Sequence, residues 1–378
     1  MSLVLNEEQR QLADTAREFL RANAPVAALR RLRDSRDPLG YSAGLWEQMS
    51  ELGWAGITIP EQYGGMDFGF AGLAALLQEC GRTLAATPLF ATCVLGASAV
   101  QLAGNEAQKQ ELLPQIASGS LRLALALEES HHHAPSTVGL VARAEDGGYR
   151  LHGRKEFVLD GHSAERIVTL ARIEGSSARE GLCLFVVDAA AAGVRRQRLS
   201  LMDARNAARI DFEGVAVDRP ALLGEEGSAA EVLDAILDRG RAGIAAEMLG
   251  GAEECLDRTV AYLKQREQFG ALIGSFQGLQ HRAAGLFAEL ELLRSVVRAA
   301  CDAVDSSPQT LPLLASLAKA SANDCAEHIT NEAVQMHGGI GTTDELDIGL
   351  FLKRARVCMQ ILGDAAFHRD RYARLRGF

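Results

Sequence analysis

The stretch 241-RAGIAAEMLGGAEECLDRTVAYLKQREQFGALIGSFQGLQH-281 decides how the rest of the chain reads. Ile244, Met248, Ala252, Leu256, Val260 and Leu263 recur at helical spacing, which predicts one long core helix with an unbroken apolar face. The pattern turns polar from Lys264 to Gln268. Gly270 and Gly274 then loosen the helix and let a ligand approach the backbone. Arg266 lies among Gln268, Phe269, Phe276 and Gln277, a guanidinium with amides and aromatic rings that suits a phosphate and a flat ring system.

Working outward, 378 residues are enough for a sizeable core and two or three domains, and 48% apolar content fits a globular protein. The net charge of −10, with no basic cluster carrying interleaved aromatics, argues against nucleic acid as a main partner. The N-terminal segment is acidic where a signal peptide would be basic and apolar, and no later stretch is uncharged for long enough to span a membrane. A cytoplasmic protein is expected. Seven cysteines occur singly, as reduced thiols in a cytosol would.

The texture changes twice along the chain. From Glu7 to Leu113 it is helical, with Leu12, Ala16, Phe19 and Leu20 on one face and breaks at Pro25, Pro38, Pro60 and Gly64–Gly65. Short apolar runs of strand length follow: 123–127, 149–151, 157–159, 167–170, 182–187 and 210–217. The helical period returns from Gly227, with a helix over 313–337 ended by Gly338, Gly339 and Gly341, and Thr342 or Thr343 capping the next. The expected fold is mainly α with a central β domain: residues 1–120 helical, 121–222 β and 227–378 helical. The GxG at 339–341 follows a helix rather than a strand, so a Rossmann reading fails.

The run YxxxRxQFGxxIxxFQxxQH, from Tyr262 to His281, resembles the signature of the acyl-CoA dehydrogenase family of flavoproteins. QMHGGIG at 335–341, the PExYGG-like turn at 60–65, and Gly153, Lys155 and Phe157 resemble further family stretches, so the similarity spans nearly the whole chain. It implies an N-terminal helical domain, a middle β-barrel or sandwich and a C-terminal four-helix bundle. It also implies FAD and an acyl-CoA substrate, with electron-transfer flavoprotein or a similar acceptor. Arg266, Gln268, Phe269, Phe276 and Gln277, with Gln335, Gly338 and Gly339, match positions that hold a neighbouring subunit's FAD, so an oligomer is implied too. Asp238 and Arg241 match positions near the CoA adenine and ribose phosphate; read as residues alone, they also fit a charge cluster at a helix start.

Two parts depart from the family pattern. Where hydroxyls and amides would bond the flavin ring, this chain has Glu128 to Pro135, with His131, His132 and His133 consecutive and without metal-ligand spacing, and Phe157-Val-Leu159 replaces Trp-Ile-Thr. The usual catalytic glutamate is also missing, with Leu362 at one of its positions and Gly240 at the other. Asp364 is the nearest candidate base; it also suits an FAD contact or a cap for a helix beginning near Ala365. The ending Gly363 to His368 resembles the small subunits of paired bacterial enzymes of the pimeloyl-CoA dehydrogenase type. The resemblance therefore implies α,β-dehydrogenation of an acyl-CoA, alone through an atypical base or as one subunit of a heteromer. The alternatives are a flavin oxidase or monooxygenase on the same fold, and a non-catalytic FAD-holding partner.

Overall fold

The computed structural model describes residues 5–176 and 178–378. Cα proximity groups the chain into two compact units, one of Met1–Arg31, Phe70–Ala85 and Arg241–Phe378, the other of Leu32–Gly69 and Ala86–Gly240.

Helices α1 (Glu7–Asn23), α2 (Val26–Ser35), α3 (Ala43–Glu51), α4 (Phe70–Thr83), α5 (Ala97–Ala103) and α6 (Glu106–Ala117) come first. Asn6 and Gln9 close a capping box at α1, and Asn105 and Gln108 do so at α6, each satisfying amides that a helix start leaves open. A π-helical turn, Phe90–Gly96, leads into α5.

The strands are β1 (Leu123–Ala126), β2 (Val141–Glu145), β3 (Gly148–Leu159), β4 (Arg166–Ile173), β5 (Leu182–Asp188), β6 (Val194–Arg198), β7 (Ala207–Asp218) and β8 (Leu222–Leu223). They form one sheet in the order β6-β7-β3-β2-β4-β5-β8, with β1 also beside β4. Its core is Leu140, Leu151, Ile167, Phe185, Ile210, Phe212 and their neighbours, all within the second unit. The apolar runs 149–151 and 157–159 belong to a single strand, β3, which carries a bulge between Lys155 and Val158. Phe157 sits in that bulge at φ +51°. Strands β2 and β6, absent from the sequence expectation, are rich in charged side chains and have few fully buried positions.

Helices α7 (Ala229–Leu263), α8 (Gln277–Ser306), α9 (Leu311–His337), α10 (Ile348–Gln360) and α11 (Ala365–Leu375) complete the chain. Residues 229–240 of α7 belong to the second unit and 241–263 to the first. In the first unit α9 packs on α8, α10 and α11. Helix α4 crosses α7 at glycines: a Cβ on Gly250 would lie 1.8 Å from the Gln78 carbonyl, and one on Gly81 would lie 2.0 Å from that of Glu247. Glu247 in turn pairs with Arg354 of α10 at 3.1 Å.

Two expectations are corrected here. The glycines after Leu263 do not loosen a continuing helix. Instead β9 (Glu267–Gln268) and β10 (Ala271–Leu272) form a hairpin whose two turn residues, Phe269 (φ +54°) and Gly270 (φ +74°), have the left-handed backbone of a type I′ turn. Nor does Thr342 or Thr343 cap the next helix. The helix starts at Ile348 behind Asp347, whose carboxylate is taken by Arg30 (2.9 Å) and Arg258 (2.6 Å) instead of capping.

Candidate functional site

The cofactor candidates of the C-terminal segment lie together on the surface of the first unit. Helix α7 ends at Leu263, and the hairpin turns the chain back so that Phe269 is 93% exposed, with its ring edge-on to Phe276 at 6.2 Å between centroids. Arg266 and Gln268 are exposed, and the Arg266 guanidinium pairs with no carboxylate among the described residues. Helix α8 opens immediately afterwards. Its N-cap, Phe276, provides no side-chain hydrogen bond; the Leu279 and Gln280 amides donate to the Phe276 carbonyl at 3.0 and 3.2 Å, which leaves the Gln277 and Gly278 amides as the candidate anion donors of the helix start.

The second motif is fastened to the first through one stacked pair. Tyr262, in the last turn of α7, stacks on His337 at 4.3 Å and 26°, and its hydroxyl donates to the His337 carbonyl at 3.4 Å. His337 Nδ1 lies 2.7 Å from the Ala333 carbonyl, and burial lowers the imidazole's pKa below its usual value, favouring the neutral ring that stacks. Beyond His337, Gly338 takes φ +67° and ψ −146°, a backbone region open only to glycine, and Gly338 and Gly339 are exposed with no atom near a hypothetical Cβ. Gln335 is exposed one turn earlier. A free guanidinium, an uncapped helix start and an unobstructed glycine turn are the donor set that an organic pyrophosphate requires, and that half of an FAD site fits these residues.

The β domain offers less. Phe157 projects from the bulge and meets His131 edge-on at 6.2 Å, while Leu159 is half-buried. His131 and His132 are exposed, whereas His133 is 2.5 Å from Glu128. No group of three or more metal-ligating side chains occurs among the described residues. The organising pair is one that the sequence does not reveal. Lys155 is fully buried; its Nζ donates to Glu129 at 2.6 Å and to the Leu127 carbonyl at 3.2 Å. Glu129 also accepts from the amides of Gly139 (2.5 Å) and Leu140 (3.0 Å), so it pins both ends of the histidine loop. Burial lowers the Lys155 pKa, opposed by the Glu129 charge.

At the base position Leu362 is buried with φ +58°. Its carbonyl is held by His368 Nε2 at 3.0 Å and by Arg241 Nε at 3.4 Å. Arg241 is only 1% exposed, lies over the Phe367 ring at 5.6 Å, and stands well inside α7 rather than at a helix start, so the surface charge cluster is not what forms. Asp238 is also buried and inside α7, as is Gly240. Asp364 is exposed and caps α11, accepting from the Phe367 amide at 2.8 Å. Lys319, which sequence reasoning missed, is fully buried beneath the same loop. Its Nζ donates to Asn323 (2.7 Å), Gly363 O (2.9 Å) and Met359 O (3.2 Å).

No helix among the described residues is long and apolar enough to cross a membrane. Two family models match, the acyl-CoA dehydrogenase N-terminal domain over residues 6–120 and the acyl-CoA dehydrogenase C-terminal domain over 230–375. An acyl-CoA dehydrogenase of Bacillus subtilis is 31% identical over 360 residues, covering 93% of both chains. The solved butyryl-CoA dehydrogenase from Megasphaera elsdenii superposes with TM-score 0.92 at 26% identity, covering both chains completely. A variant of the Tcur3481-Tcur3483 steroid ACAD gives 0.87 at 30% identity over 98% of each. With both terminal domain models matched and relatives similar over almost their full length, this chain belongs to the acyl-CoA dehydrogenase family, FAD-dependent oxidoreductases that act on CH–CH bonds.

Proposed function

We propose that this chain is one subunit of a cytoplasmic acyl-CoA dehydrogenase in which a second dehydrogenase-like chain supplies the α-proton base. The observation that carries the reading is Leu362, a buried apolar side chain at the base position. Gly240, at the other usual position, has no side chain, and Asp364 already caps a helix. FAD, when bound, supplies the acceptor for the hydride leaving the β-carbon of a thioester. Arg266, Gln277 and the first amides of α8 bind and orient the cofactor's pyrophosphate, while Gly338 and Gly339 let its adenosine end lie against backbone. Leu362 excludes water from its surroundings but cannot take a proton. The name of the Tcur3481-Tcur3483 neighbour, a hyphenated pair, supports an assembly of two different chains. An electron-transfer flavoprotein or similar carrier is the expected electron acceptor.

The test is anaerobic flavin bleaching by a panel of acyl-CoAs. The chain purified alone should react about two to four orders of magnitude more slowly than the chain co-purified with its partner, the usual contribution of a positioned base. Rapid bleaching by the lone chain that survives Asp364→Asn would refute the proposal.

A further inference from the structure

A cleft of about 590 Å³ opens within the second unit, and none of the cofactor or substrate candidates above lines it. Its walls are α3, the segment 118–122 that joins α6 to β1, and the residues just before β4. They are firmly joined. Trp46 Nε1 donates to the Gly119 carbonyl at 2.8 Å, and Gly119, at φ +73°, approaches Ser50 so closely that no side chain fits between them. The rim ahead of α3 is fastened by Asn206, which donates to the Leu39 carbonyl at 2.5 Å, and by Arg198, which donates to that of Asp37.

Hydrogen-bond acceptors dominate this lining. Ser50 donates to the Trp46 carbonyl (2.8 Å), Ser163 to that of Asp160 (3.2 Å), and Ser118 and Ser120 both reach that of Gln115 at 3.1 Å. Each hydroxyl spends its hydrogen on the backbone and keeps lone pairs for whatever enters. Glu47 and Glu51 stand one turn apart on α3, exposed, and pair with no cation among the described residues, so their like charges repel unrelieved. Arg122, the guanidinium of the lining, is taken by Glu165 and the Gly119 carbonyl and does not offset them. Tyr41 supplies an independent sign. It is only 4% exposed, yet its hydroxyl hydrogen-bonds to no described residue, and it lies close enough to Arg122 and Glu165 for their charges to act on it. A buried hydroxyl without a partner is an exception in folded proteins and marks a place where something else meets it.

We propose that this cleft binds a small organic diamine or polyamine, its ammonium groups held by Glu47 and Glu51 and by the hydroxyl oxygens of Tyr41 and the serines. An ammonium has three N–H donors and no acceptor, the complement of a lining rich in carboxylates and lone pairs. An anion would meet two unpaired carboxylates instead. A compact metal ion lacks its ligands, since no group of three or more metal-binding side chains occurs among the described residues. The volume lies within the range of small-ligand pockets, and the Tyr41 and Trp46 rings that share the lining give a methylene chain apolar contact.

The experiment is calorimetric titration of the FAD-loaded full chain with 1,4-diaminobutane. One saturable site is expected, with affinity falling roughly tenfold or more in Glu47→Gln/Glu51→Gln, whose exposed positions leave the core intact, through loss of charge-assisted hydrogen bonds. Tyr41→Phe, which keeps the ring, should weaken binding roughly two- to tenfold. Glu8→Gln/Glu18→Gln, which removes two exposed carboxylates from α1, should leave the affinity unchanged, and 1,4-butanediol, with hydroxyls in place of the ammonium groups, should not bind. Absence of saturable binding, equal affinity in the parent and Glu47→Gln/Glu51→Gln, an equal loss in the α1 variant, or equal affinity for the diol would each overturn the proposal.

Discussion

Lys319 offers the sharpest physical test because an ammonium is buried completely with no carboxylate among its hydrogen-bond acceptors. Burial lowers its pKa from 10.5 to about 7, the nearby Arg241 charge adding to the effect and the Cys358 and Asp364 charges opposing it. Below about pH 7 the side chain is charged in both the folded and unfolded states, and the desolvation cost is constant. Between about 7 and 10.5 the unfolded chain keeps a proton that the folded chain has released, so stability rises with pH. Each pH unit of displacement is worth about 1.4 kcal/mol, which caps the gain at roughly 5 kcal/mol and leaves about 3 kcal/mol between pH 7 and pH 9.5. Urea unfolding of the parent and of the near-isosteric Lys319→Met, followed across that range, isolates the effect because other groups titrate equally in both proteins. The stability of the parent relative to the variant should climb with pH. A difference that is flat, or that falls, would show that the three acceptors keep the ammonium charged and that the reasoning from burial is wrong.

Two further outcomes are expected. Arg266→Ala should lower FAD retention after gel filtration, since loss of a charge-assisted bond to pyrophosphate is worth about 1.5–3 kcal/mol, and unchanged flavin content would remove Arg266 from the site. Gly250→Ala should destabilise the first unit by about 3 kcal/mol or more, because its Cβ would meet the Gln78 carbonyl at 1.8 Å and neither helix can yield without unpacking; a melting temperature within a degree or two of the parent would contradict that crossing.

What the sequence disclosed was whatever depends on local period. Helix α7 is legible from Ile244 to Leu263 because small and apolar residues fall on one face, and α9 was expected within two residues of its actual start. The strands found from sequence are those with apolar runs. Strand β6, VRRQR, lies at a sheet edge where one side is open to solvent, so its composition is polar and its period uninformative. The hairpin at 267–272 was missed because Phe269 at a left-handed turn position is rare, and nothing in its type announces that backbone. Among site residues, the surface set around Arg266 and Gly338 is contiguous in sequence and could be read. The Glu129–Lys155 and Lys319–Gly363 links join residues 26 and 44 positions apart, and only folding brings them together. Asp364 shows the converse: the chain offered both a base and a cap at that position, and the geometry seen is that of a cap.

The exposed hairpin has a consequence for the life of the chain in a cell. Phe269 at 93%, Phe287 at 57% and Leu292 at 70% exposure, with Leu272 close by in the hairpin, leave greasy surface uncovered on the isolated protein. Such surface recruits chaperones and proteases and promotes self-association at high expression. A copy made in excess of whatever covers this surface is therefore the more exposed to turnover and self-association.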